Sequence, residues 1–216
     1  MKKLKNNQIN KWRIYIEIMI AQWLIVIILY MYWVYTGRSF IDLFSYDSSY
    51  ISLNLETILG IGVGVGIVLL FFSLMIRYSK AIRTKIAESL ADESIQFLLP
   101  STFGERVLFL LVAVTAGVCE EIIFRGVMLY YFSHFPIEVP IIFIGVISSL
   151  LFGIVHLYQG LKGVLLTAYL GAVFFFLFVL TGSLWIPILL HILVDAKFVF
   201  LPNKKVLKSG KESLIV

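Results

Sequence analysis

The chain has 216 residues, of which 60% are hydrophobic and only 14% are charged, and its net charge is +5. Soluble domains carry about 25% charged residues, so the composition excludes a disordered chain, a nucleic-acid-binding domain and an ordinary soluble enzyme. Six spanning helices of about 20 residues would use roughly 120 residues, which predicts a single integral-membrane domain over residues 1–216.

Six apolar segments follow one another along the chain. They cover residues 14–35, 57–76, 107–132, 139–158, 163–180 and 184–201. Their lengths predict an all-α polytopic membrane protein with about six transmembrane helices. The first segment is interrupted only by Glu17 and Gln22.

The longest connection, residues 77–100, has an amphipathic pattern. Ile82, Ile86 and Leu90 recur every four residues among charged residues. This pattern predicts one interfacial amphipathic helix, and a solvated loop with a helical turn is the alternative.

Basic residues lie almost entirely on one side of this arrangement. If the N-terminus is cytoplasmic, the three predicted outer loops contain one basic residue, Arg38, whereas the inner loops and the C-terminal tail contain ten. The positive-inside rule therefore predicts a multi-pass protein of the cell membrane with both termini in the cytoplasm. The positions of the basic residues therefore indicate that the partner of this positively charged chain is the lipid bilayer and not a nucleic acid.

Besides the first segment with Glu17, three of the apolar segments contain ionisable residues, which cost several kcal/mol in a bilayer unless they are paired or face a polar cavity. The candidate site residues are Glu120, Glu121, Arg125, His156, His191 and Asp195. Glu121 and Arg125 are four residues apart and can pair on one helical face, while Glu120 points about 100° away. His191 and Asp195 have the same spacing.

Turned inward, these side chains would surround one cavity. Two imidazoles and a carboxylate suit a divalent metal such as zinc, and a carboxylate in apolar surroundings can act as a general base near neutral pH. Either arrangement activates a water molecule inside the membrane. A proton relay or an ion carrier uses similar residues and stays open as an alternative.

Three motifs in this part of the chain resemble those of the CPBP family, also called the Abi or type II CAAX protease-like family. Residues 120–125 match its E-E-x-x-x-R motif, residues 152–156 its F-x-x-x-H motif, and residues 191–195 its H-x-x-x-N or H-x-x-x-D motif. The resemblance covers a core of residues 100–201.

This resemblance implies an intramembrane metalloendopeptidase that hydrolyses a peptide bond of a membrane-embedded or membrane-associated protein or peptide. By the resemblance, Glu121 and His156 bind or activate the attacking water. His191 stabilises the oxyanion or helps to hold a metal, so a zinc ion would be bound by Glu121, His156 and His191.

The remaining motif residues have supporting roles by the same resemblance. Glu120 and Arg125 orient the site, with Glu120 hydrogen-bonded to a neighbouring helix. Asp195 stands where many family members have Asn, and an ionised Asp cannot donate a hydrogen bond to an oxyanion. We therefore expect Asp195 to be protonated, to hold a metal or to orient His191.

A non-catalytic role is the alternative to proteolysis. Family members are linked with bacteriocin self-immunity, so the chain could be an immunity or regulatory membrane protein on the same scaffold, with or without peptidase activity. The sequence specifies neither the substrate nor the oligomeric state.

Overall fold

The computed structural model describes residues 10–47, 78 and 98–200 of the chain. The predicted second span, residues 57–76, and the predicted amphipathic helix around Ile82 lie outside the described residues. Within the described ranges, three helices are long and apolar enough to cross a membrane: Lys11–Tyr35, Phe103–Ser133 and Leu157–Thr181. The all-α membrane architecture is confirmed for the described residues, whereas the count of six spans and the orientation of the termini stay predictions.

The described chain forms six α-helices. They are α1 (Lys11–Tyr35), α2 (Phe103–Glu121), α3 (Met128–Ser133), α4 (Ile141–Val155), α5 (Gly160–Thr181) and α6 (Trp185–Ala196). A π-helical segment, Ile122–Val127, joins α2 to α3, and short 3-10 turns occur at Phe40–Phe44, Leu157–Gln159 and Lys197–Phe200.

The start of α2 follows from a capping box. The Thr102 hydroxyl accepts a hydrogen bond from the Glu105 backbone N–H at 3.2 Å, and a Glu105 carboxylate oxygen accepts one from the Thr102 N–H at 3.3 Å. This exchange satisfies two backbone donors that the first helical turn leaves free. From this start the chain runs through α2, the π-helical segment and α3 as one apolar rod of 31 residues.

Two predicted spans contain regular helices that are shorter than expected. The segment predicted at 139–158 forms only α4, with 15 residues, because His156 closes the helix and a 3-10 turn follows. Gly160 then turns the chain into α5 with a φ of +75°, a value that glycine adopts without steric cost. The segment predicted at 184–201 forms α6, with 12 residues, and the 3-10 turn Lys197–Phe200.

Close helix packing brings the motif-bearing helices together. α2 packs against both α1 and α6, and α4 packs along α5. At Gly117 of α2, an added Cβ would lie 2.5 Å from Ile192 Cγ1 and 3.1 Å from the Ile192 backbone nitrogen. Small residues permit such close approach of two backbones. The last turn of α2 is thereby held next to His191 of α6.

Candidate active site

Glu121 is the centre of a buried hydrogen-bonded group. Its Oε1 accepts from Arg125 Nη1 at 2.7 Å and from His191 Nδ1 at 2.8 Å. The side chains of Glu121 and Arg125 are both 0% exposed. Arg125 Nη2 also donates to the Gly171 carbonyl oxygen at 3.1 Å. The carboxylate therefore has a cationic partner, and the group connects the end of α2 with both α5 and α6.

Aromatic rings enclose the Arg125 guanidinium. Its central carbon lies 4.3 Å from the centroid of the Phe152 ring and 5.5 Å from that of Phe174. A cation over an aromatic face is attracted by the ring quadrupole, most strongly where water is absent. The Phe174 ring also stacks on the His191 ring, with centroids 5.2 Å apart. These contacts hold the guanidinium and the imidazole in fixed places.

Glu120 faces the two imidazoles. Its Oε1 accepts a hydrogen bond from Gln22 Nε2 of α1 at 2.7 Å. Its Oε2 lies 3.9 Å from His156 Nε2 and 3.9 Å from His191 Nε2. This second oxygen is buried and has no hydrogen-bond partner among the described residues. Glu120 thus has one oxygen held by the neighbouring helix and one directed into the site.

The His156 ring is oriented by the backbone of its own helix. His156 Nδ1 lies 2.7 Å from the Phe152 carbonyl oxygen. A carbonyl only accepts hydrogen bonds, so Nδ1 is the donor, and a neutral ring then has its lone pair on Nε2. That lone pair is on the side of the ring that faces Glu120.

His191 has carboxylates near both ring nitrogens. Its Nδ1 donates to Glu121, and its Nε2 lies 3.6 Å from Asp195 Oδ2 in addition to the 3.9 Å separation from Glu120 Oε2. The Asp195 side chain is 30% exposed, compared with 14% for Glu120 and 12% for His156. Asp195 is therefore at the most open edge of the group.

The structure brings all six candidate residues together. By the resemblance, Glu121 was expected to bind or activate the water and Glu120 to orient the site, and these roles stay predictions. In the structure, Glu121 Oε1 is bonded to Arg125 and His191, and Glu120 lies beside His156. The expected hydrogen bond from Glu120 to a neighbouring helix is present, and its donor is Gln22.

Sequence reasoning did not assign Gln22 to the site. The available signal was its position, because it is the only residue between Ile18 and Leu29 whose side chain is neither apolar nor aromatic. A single glutamine in an apolar helix has no motif around it, so its partner could not be identified without the packing of α1 on α2.

The predicted zinc ligands do not converge on one point. Glu121 is bonded to Arg125 and His191, whereas His156 lies beside Glu120. Throughout the ranges that the structure describes, no three His, Cys, Asp or Glu side chains are arranged to hold a metal. As placed, Glu121, His156 and His191 do not form one set of metal ligands, and zinc binding stays a prediction.

Comparisons with known proteins support the motif assignment. Residues 102–196 match the family described as type II CAAX prenyl endopeptidase, Rce1-like. The chain is 32% identical over 104 residues to a Bacillus subtilis (strain 168) protein named "Putative membrane peptidase YdiL". That alignment covers 48% of this chain and 41% of the relative, so the chain spans less than half the length of the curated protein it matches. No solved structure matches.

Proposed function

Residues 102–196 are similar to the Rce1-like type II CAAX prenyl endopeptidase family, and we propose on this ground that the protein is an intramembrane endopeptidase. Its substrate would be a membrane-embedded or membrane-associated protein or peptide. One observation carries the proposal: the buried, unpartnered Oε2 of Glu120 lies 3.9 Å from Nε2 of both His156 and His191. This separation is too long for a direct hydrogen bond, and a polar gap of this kind is where a bridging water is expected.

In the proposed first step, Glu120 is the general base. Glu120 Oε2 takes a proton from the water as the water oxygen attacks the carbonyl carbon of the scissile peptide bond. The new carbon–oxygen bond forms, and the carbonyl electron pair moves to the carbonyl oxygen. His156 Nε2, with its lone pair facing the gap, accepts a hydrogen bond from the other O–H of the water and orients it; that hydrogen stays on the attacking oxygen.

In the proposed second step, the tetrahedral intermediate collapses. The carbon–nitrogen bond breaks, and Glu120 returns the proton to the leaving amine nitrogen. As an imidazolium, His191 would donate Nε2–H to the oxyanion while Nδ1–H remains bonded to Glu121. Asp195 would balance the charge of that imidazolium from the open edge, so it needs no proton of its own.

Glu121 and Arg125 support the reaction without contacting the substrate in this proposal. Glu121 Oε1 holds the His191 ring through Nδ1 at 2.8 Å, and Arg125 neutralises the carboxylate at 2.7 Å. Such a buried pair fixes the ring orientation of the residue that it supports, as a second layer of ligands does in metal sites.

The zinc ion predicted from the sequence stays a prediction, and the proposed steps do not pass through it. This prediction is tested by measuring the metal content of the purified protein and the effect of 1,10-phenanthroline on peptide cleavage. One zinc per chain, with activity lost on chelation and restored by added zinc, would support the metalloendopeptidase.

Bacteriocin immunity also stays a prediction, as does the cytoplasmic placement of both termini.

The test uses the full chain in proteoliposomes. The probes are an internally quenched peptide that ends in a farnesylated CAAX sequence and the same peptide without the lipid. We expect the wild-type protein to cleave the lipidated probe and the Glu120→Gln variant to be inactive. If only the lipidated probe is cleaved, a prenylated substrate is supported; cleavage of both probes supports a broader peptidase. No cleavage of either probe by the wild-type protein, or equal cleavage by Glu120→Gln, overturns the proposal.

A further inference from the structure

Gln22 connects α1 to the carboxylate that faces the imidazoles. Its Nε2 donates to Glu120 Oε1 at 2.7 Å. Residue 22 lies outside residues 102–196, so the family match does not include it. The next residue, Trp23, makes a separate bond between the same two helices, from Nε1 to Thr115 Oγ1 at 3.3 Å. α1 therefore contacts α2 through two neighbouring polar bonds, only one of which reaches the site.

We propose that Gln22 is a positioning residue for the catalytic carboxylate. This inference rests on the proposed function, because it assigns Gln22 a role only through Glu120. By holding Oε1, the Gln22 amide fixes the rotation of the carboxylate so that Oε2 faces His156 and His191.

The partners of the two adjacent glutamates explain why an amide suits this position. Glu121 Oε1 accepts two hydrogen bonds, one of them from the cationic Arg125, while its Oε2 is buried without a hydrogen-bond partner among the described residues. Glu120 Oε1 accepts one bond from a neutral donor, and Oε2 has no partner among the residues described. A cationic donor would neutralise the carboxylate and draw its lone pairs away from water. A neutral amide orients the group and leaves its charge available to the proton that it accepts.

The Gln22 amide is otherwise poorly satisfied. Its Oε1 is buried and has no hydrogen-bond partner in the part of the chain that the structure describes. An unpaired polar atom in apolar surroundings costs free energy, so a methionine or leucine would be more favourable if this position served packing alone. Among the residues that the structure describes, the contact that compensates for the amide is the bond to Glu120.

The activity test uses the isosteric variant Gln22→Met, which removes the donor and keeps the side-chain length. The loss of a hydrogen bond to a charged group corresponds to a decrease in rate of about tenfold to a hundredfold. We expect Gln22→Met to lower kcat on the farnesylated probe by that factor and to leave KM unchanged. The matched control is Thr115→Val, which removes the neighbouring bond between α1 and α2 and should keep the wild-type kcat.

A double-mutant cycle on Tm in detergent tests the contact without any substrate. Gln22→Met and Glu120→Met are measured singly and together. We expect the decrease in Tm of the double variant to be smaller, by at least about 2 °C, than the sum of the decreases of the two single variants. If the decreases in Tm are additive, or if Gln22→Met keeps the wild-type kcat, the inference about Gln22 is overturned. Neither result affects the proposed function. A wild-type protein that cleaves no probe overturns the proposed function instead, while the cycle still decides whether Gln22 and Glu120 are in contact.

Discussion

Glu120 and His156 face each other across 3.9 Å, measured between Oε2 of the carboxylate and Nε2 of the imidazole. The two residues come from the end of α2 and the end of α4, and each has its other polar atom bonded elsewhere: Glu120 Oε1 to Gln22 and His156 Nδ1 to the Phe152 carbonyl. Both remaining atoms are therefore directed at the gap between them. This geometry makes the two groups suited to hold one water molecule.

The two adjacent glutamates should give different phenotypes when each is changed to glutamine. Glu120→Gln should lower peptide cleavage by about 100-fold to 10,000-fold with normal yield and Tm, because no arginine or lysine of the described residues is paired with Glu120. Glu121→Gln should lose folded protein as well, since it leaves the buried Arg125 charge uncompensated, at a cost of roughly 3–5 kcal/mol. Yield and Tm of both purified variants, together with cleavage of the farnesylated probe, check this. Equal stability of the two variants would contradict the assignment of the two carboxylates.

Arg125 should be required for folding rather than for chemistry alone. Arg125→Ala removes the partner of a fully buried carboxylate and should destabilise the protein by about 3–5 kcal/mol. Arg125→Lys is the matched control, because it keeps the charge but loses the planar group that donates to both Glu121 and Gly171 and stacks on Phe152. Thermal unfolding should rank the wild type above the lysine variant and the lysine variant above the alanine variant. A normal Tm for Arg125→Ala would show that the arginine faces water or substrate.

The two histidines should differ in what they contribute to stability. His156→Ala should abolish most activity with a small change in Tm, because the side chain is partly exposed and its hydrogen bond within the described residues is to the backbone of its own helix. His191→Ala should lower both activity and Tm, since His191 is bonded to the buried Glu121. Probe cleavage and Tm of the two variants provide the measurement. If His156→Ala lowered the Tm more than His191→Ala, this would contradict the placement of His191 in the buried part of the site and of His156 in its more open part.

The predicted topology can be checked with reporter fusions. A fusion after residue 45 should report the outer side of the membrane, and a fusion after residue 216 should report the cytoplasm, because the basic residues cluster in the predicted inner loops and tail. An alkaline phosphatase and a fluorescent-protein reporter at each site serve as mutual controls. If both fusion sites report the same side, the count of six spans is wrong.

The amino-acid sequence determined the features that depend on composition and on helical spacing. Low charge and long apolar segments predicted an all-α membrane protein, and three helices in the described residues are long enough to span. The spacing of four between Glu121 and Arg125 predicted their ion pair, which forms at 2.7 Å. Such pairs follow from the helical repeat alone, and the three motifs indicated the family through their residue types and their order along the chain.

Only the tertiary structure decided that Glu120 lies near Nε2 of both imidazoles, while Glu121 binds Arg125 and Nδ1 of His191. Adjacent residues of a helix point about 100° apart, so the sequence shows that Glu120 and Glu121 serve different directions but not which helix lies in each direction. The bond from Gln22 to Glu120 spans 98 residues, and the shortening of α4 at His156 depends on a turn that apolar composition does not reveal. These relationships are set by the packing of α1 and α6 on α2, because long-range neighbours are fixed by which helix faces meet and not by spacing along one helix.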